Sequence, residues 1–182
     1  MAKALDVANF FVDVTSDDPE DAMTNMRVNK LLYLSQAWSL VRLGRPLFED
    51  DEIQAWQYGP VAPGVYRAFS EYGRERIRKV AGEYSWKVFS ADETELLLDV
   101  LREYGIYTSA ALVRLTHRKG SPWSEVYAPG RNATITNESM KAYYSAQEPL
   151  PEFVFPEVEE VGYRDPEDGL LVLPADWDDD DE

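Results

Sequence analysis

The chain has 182 residues, 45% of them AVILMFWYC and 13% aromatic, with no cysteine and a formal net charge of −16. That is material for one domain plus an extension, or for two very small domains. The composition excludes disulfides, thiolate zinc sites and cysteine nucleophiles, and no apolar run approaches the roughly 20 residues that a membrane helix needs.

In chain order, Leu5, Ala8, Phe11 and Val12 have helical spacing. An acid interrupts the apolar part of this N-terminal stretch, which reads as a folded helix rather than a signal peptide, in a soluble cytoplasmic protein. Thr15 to Ala22 is polar and acidic around Pro19, a loop. Thr24 is placed to cap a helix from about Met26 to Leu43, stopped by Gly44 with Pro46 just beyond. Apolar residues cover nearly its whole circumference, which predicts a buried central helix. Ile53 to Tyr58 alternates and is rich in aromatics, a short strand; Gly59-Pro60 is turn chemistry; Val61 to Tyr72 is helical in pattern.

Residues 74–89 are basic and mixed, a loop or short hairpin. Ser90-Ala91-Asp92-Glu93 is a capping box that opens a helix through Leu97 and Leu101 to Tyr104, ended by Gly105. Tyr107 to Thr116 continues as another helix. Gly120, Ser121 and Pro122 then stop one helix and start a short one carrying Trp123. Thr136 caps a last helix through Met140, Tyr143 and Tyr144. From Pro149 onward five prolines (Pro149, Pro151, Pro156, Pro166 and Pro174) punctuate an acidic segment. It contains two short apolar runs, Phe153-Val154-Phe155 and Leu170 to Leu173, and ends on Trp177 followed by four aspartates and a glutamate. The predicted architecture is mainly α: a compact helical domain, 1–148, around the central helix, with short β pieces, and an extended acidic C-terminal arm, 149–182.

The charge is uneven. Residues 151–182 hold 13 Asp/Glu against one Lys/Arg, which leaves only −4 on residues 1–150. Such an arm repels phosphate backbones and attracts a basic partner within a Debye length of about 8 Å. Neither nucleic acid nor membrane is an expected partner. The familiar phosphate, metalloprotease and hydrolase motifs are missing, and the acidic runs Asp17-Asp18 and Asp50-Asp51-Glu52 read as solvated loops. His117 is the single histidine; beside Arg118 and Lys119 it reads first as a helix-end residue satisfied by backbone carbonyls and the helix dipole. Lys30 lies among Met26, Tyr33, Leu34 and Ala37. It is either a snorkelling lysine whose ammonium reaches water or one that faces a partner or a carboxylate. Trp56 and Tyr58 suit core packing and interface anchoring alike.

Taken together, Asn29-Lys30-Leu31-Leu32-Tyr33 with Gln36-Ala37-Trp38, Pro46-Leu47-Phe48, Ala55-Trp56-Gln57-Tyr58-Gly59-Pro60-Val61 with Val65-Tyr66, and Leu115-Thr116-His117 before Pro122-Trp123 resemble the Panacea domain. That family includes SocA-like antitoxins and GepA-type phage-associated proteins. The resemblance covers roughly residues 1–145. It implies a helical antitoxin, without enzymatic activity or cofactor, that neutralises a cognate toxin by direct binding; the toxin is expected to be basic and encoded by the adjacent gene. Some members deliver the toxin to a protease, the alternative reading; a hydrolase using His117 and carboxylates is a further one. The partner-binding residues expected are Lys30, Trp56, Tyr58, Gly59, Pro60, Tyr66 and His117 in the domain, with Phe153, Phe155, Leu171 and Trp177 in the arm setting partner choice.

Overall fold

Helix α2, Asn25–Arg42, is buried on nearly every side, and the other helices pack around it. The computed structural model describes residues 2–16 and 23–153, together with the backbone of two short strands at 163–164 and 171–172. Around α2 lie α1 (Ala4–Val14), α3 (Pro63–Ala68), α4 (Ala91–Tyr104), α5 (Ser109–Thr116), α6 (Pro122–Val126) and α7 (Asn137–Ser145). A two-stranded hairpin, β1 (Gln54–Trp56) and β2 (Gly59–Val61), lies against α2 and α5. Val7 and Phe11 of α1, Leu96, Leu97 and Val100 of α4, Leu112 of α5 and Met140 of α7 close the core around Leu31, Leu32 and Leu34. Each such side chain contributes about 1.5–3 kcal/mol by leaving water.

The helix starts are the ones the residues dictate. Thr24 Oγ1 accepts from Arg27 N at 3.2 Å, Ser121 and Thr136 cap α6 and α7, and Ser90 and Glu93 form a reciprocal capping box on α4. A helix buried all round must also place its polar side chains, and those of α2 serve as pegs for the surrounding loops. Asn25 donates to Tyr66 O, Asn29 accepts from Ala62 N, and Arg27 donates to Gly105 O. Ser39 donates to Arg45 O, and Gln36 holds both backbone polarities of the Leu47-Phe48 segment. Asp99 of α4 is ion-paired to Arg42 at 2.6 Å and to Arg102 at 3.0 Å.

Three local expectations are corrected. The hairpin turn is Gln57-Tyr58, not Gly59-Pro60, because Trp56 pairs with Gly59 and Ala55 with Pro60. Val61 consequently ends a strand, and the helical run from Val61 to Tyr72 divides into α3 and a 3₁₀ turn at Ser70–Tyr72. The Asp50-Asp51-Glu52 triplet is not merely solvated. Asp50 accepts from Ala4 N at 2.8 Å, Asp51 accepts from Gly64 N at 2.7 Å and Val65 N at 3.2 Å, and Glu52 accepts from the Thr134 hydroxyl. Two carboxylates thus satisfy the orphan amides at the starts of α1 and α3, where negative charge is favoured. The basic stretch 74–89 is irregular apart from a β-bridge of Arg76 to Thr24 and a 3₁₀ turn at Trp86–Val88.

The chain divides into two units, Met1–Pro151 and Glu152–Glu182. In the second, β3 (Tyr163–Arg164) pairs antiparallel with β4 (Leu171–Val172), so Leu171 is placed by its backbone. Phe153 is exposed. Phe155 and Trp177 lie outside the described residues.

Candidate functional site

The residues singled out in the first unit converge on the hairpin. Lys30, in the second turn of α2, reaches under β2, and its ammonium donates to the Pro60 carbonyl at 3.0 Å. Proline has no N–H to give the ladder, but its carbonyl stays available, and here it accepts from the lysine. Gly59 has φ +106°, and a β-carbon there would come within 2.6 Å of Lys30 Cε and 2.9 Å of Thr116 Oγ1. Only glycine allows that approach.

The snorkelling reading of Lys30 is therefore wrong. The side chain is 1% exposed, and among the described residues its ammonium, a donor of three protons, has one acceptor. Burial lowers its pKa to about 7, since charge is disfavoured away from water. Gly59 and Pro60, expected among the partner-binding residues, are buried as well. The exposed tip is Tyr58.

A chain of aromatic contacts braces the other side. His117, the C-cap of α5, stacks on Trp123 with ring centroids 3.6 Å apart and planes at 5°, and Trp123 stacks in turn on Tyr127. The Trp123 indole donates to Trp56 O at 2.8 Å, and the Trp56 ring meets Tyr66 edge-on at 5.0 Å. His117 is not held by backbone carbonyls as expected: its Nε2 is buried with no hydrogen-bond partner among the described residues. Burial first, and the nearby charge of Lys30 second, lower its pKa, so the ring is a neutral stacking surface at neutral pH. Trp56 is half-buried rather than core.

Between the hairpin, the first turn of α2 and α3 opens a cleft of about 710 Å³. Met26, Trp56, Tyr58, Val61 and Tyr66 supply its apolar surface; Lys30, Asn25, Asn29 and Ser109 are its polar groups, and Arg74 stands at the edge. Met26, Tyr58 and Tyr66 are all exposed, so apolar surface faces solvent at the cleft. Residue pattern pointed to Lys30 and the hairpin aromatics, and the family resemblance added His117. They missed Met26, Asn29 and Arg74 as members of the same site, because only the hairpin's position against α2 brings them together. Among the described residues, no group of three or more His, Cys, Asp or Glu could hold a metal ion, and no helix is long and apolar enough to cross a membrane.

Comparison with known proteins places this geometry in a family context. The model of the family described as antitoxin SocA-like, Panacea domain, matches residues 28–124. That span contains the hairpin, Lys30 and the His117–Trp123 stack, and leaves out the acidic C-terminal segment. Antitoxin SocA of Caulobacter vibrioides (strain NA1000 / CB15N) is 33% identical over an alignment of 138 residues, with 69% of this chain and 71% of that protein covered. No solved structure matches the chain.

Proposed function

The chain belongs to the SocA-like antitoxin family of Panacea domains, and we propose that it neutralises a cognate toxin by binding it directly, as a non-enzymatic protein of the cytoplasm. The observation that carries this reading is the convergence of the family-matched residues on one open cleft with an exposed aromatic rim. Tyrosine, tryptophan and arginine are the usual anchors of protein interfaces, and the rim offers Tyr58, Tyr66 and Arg74 beside Met26. Tyr58 and Tyr66 are the contact residues of this proposal. Gly59, Pro60, Trp56 and His117 hold the wall behind them, and Lys30 underlies it.

The acidic segment has a separate role in the same proposal. Residues 149–182, a second region that follows the domain of 1–148 in the chain, attract a basic face of the toxin, and Phe153, Phe155, Leu171 and Trp177 supply its apolar contacts. Opposite charge of this kind mainly speeds encounter.

Co-expression with the adjacent gene tests the proposal. Growth arrest by that gene should be relieved by this chain, and the two products should co-purify, in cells with and without the housekeeping proteases. Relief that needs a protease would favour delivery for degradation instead. A toxic neighbour that is neither relieved nor co-purified sinks the proposal.

A further inference from the structure

Lys30 poses a chemical question that the hairpin leaves unanswered. A buried ammonium has three protons to donate, and the Pro60 carbonyl takes one. Leaving buried donors of a cation unsatisfied is costly. The cleft that Lys30 lines carries a second cation, Arg74, and no carboxylate among the described residues that line it. The described lining of this cleft therefore carries basic groups and no acid.

We propose that this cleft docks a carboxylate-bearing apolar segment of the partner protein, its hydrophobic side chain between Trp56, Tyr58 and Tyr66 and its carboxylate on Lys30, with Arg74 at the entrance. The proposal rests on the direct-binding reading above and specifies the chemistry of the partner at that site. An apolar wall that excludes water strengthens the charge pair as it forms, while Met26 and Val61 add non-polar contact. Asn29 is already committed, accepting from Ala62 N and donating to Asn25, so it holds the wall. Discrimination falls to Lys30. A partner that lacks the carboxylate leaves the remaining protons of the buried ammonium unpaired.

Two measurements on the full chain test this. In the first, 3-phenylpropionate and its uncharged amide are titrated while the Trp56 indole resonance is followed by NMR. The acid should shift it, the amide should bind roughly tenfold more weakly or worse, and Lys30→Met should remove the difference. Equal responses to acid and amide, or no response at the cleft to either, overturn the proposal. In the second, affinity for the product of the adjacent gene is compared among wild type, Lys30→Met and Tyr58→Ala. Tyr58 is 58% exposed, so its truncation leaves the core intact even where Lys30→Met disturbs it. Each variant should lose roughly tenfold or more in affinity. A wild-type complex that both variants retain at full strength overturns the docking proposal and leaves direct neutralisation standing. Absence of any wild-type complex overturns the proposed function itself. Loss of self-association in the variants, with toxin binding unchanged, assigns the cleft to a second copy and also overturns the docking proposal.

Discussion

The Lys30 ammonium donates to the Pro60 carbonyl at 3.0 Å from a side chain that is 1% exposed. This bond ties the central helix to the hairpin, yet it leaves a cation in a dry place, and that conflict has a pH signature. Lys30 has an ordinary pKa of 10.5, lowered by burial to about 7 in the fold. Between those values the unfolded chain binds a proton that the folded chain has released, so stability rises with pH. The penalty is fully present below about pH 7 and is relieved progressively above it, by an amount on the order of 5 kcal/mol. Near the lysine are His117 and Thr116 of α5, Gly59 and Pro60 of β2, and Arg74 in the cleft, none of them acidic. His117, whose pKa is also lowered, adds a smaller rise in the same direction near its ordinary value of 6.5. Urea midpoints should therefore increase between about pH 7 and about pH 9, and Lys30→Met should flatten the increase. Above about pH 10 the trend reverses, because burial raises the pKa of Tyr33 and Tyr144 and their unfolded phenols ionise first. An identical pH slope in wild type and Lys30→Met contradicts the assignment.

Gly59→Ala should be among the most damaging single changes. The new methyl meets Lys30 Cε and Thr116 Oγ1 at a backbone φ of +106°, so space and conformation both oppose it. A loss of about 2–4 kcal/mol is expected in denaturant unfolding. Gly44, also at positive φ but with open space around it, should respond less to alanine. Equal losses at the two positions would remove the close-approach argument.

Gln36→Leu isolates one of the helix pegs. The amide accepts from Leu47 N at 2.9 Å and from Phe48 N at 3.3 Å, and donates to Phe48 O at 3.0 Å. Leucine fills the volume but strands those backbone groups in the core, at a cost of about 2–4 kcal/mol. Hydrogen exchange at the Leu47 and Phe48 amides should accelerate with it; unchanged protection would mean that the peg is incidental.

Removing the acidic segment should alter how the partner arrives. In the proposed role, a chain ending at Pro151 binds the toxin more weakly, and its association rate loses most of its dependence on salt. The same salt slope in both chains would place the charge complementarity elsewhere.

Much of the fold could be read from local chemistry. Thr24, Ser90 with Glu93, Ser121 and Thr136 announce helix starts through their own side chains. The all-round apolar pattern of 26–43 announces burial. What escaped was set by tertiary pairing. Gly59-Pro60 has turn chemistry, but the register of Trp56 with Gly59 moves the turn to Gln57-Tyr58. Asp50 and Asp51 look like loop acids until the starts of α1 and α3 arrive beside them. Lys30 was recognisable as anomalous on its helix, but whether its ammonium meets water depends on a hairpin about 30 residues later. The cleft could not be read at all, since its walls come from α2, the hairpin, α3 and the loop at Arg74.

The most direct test of the central claim mixes the purified full chain with the purified product of the adjacent gene, with no protease and no nucleotide present, and follows the toxin's own activity. Direct neutralisation predicts that activity falls away as the chain approaches a fixed stoichiometric ratio. It also predicts that a Tyr58→Ala chain needs a higher concentration to do the same. A toxin that stays fully active in excess of the wild-type chain would contradict the account.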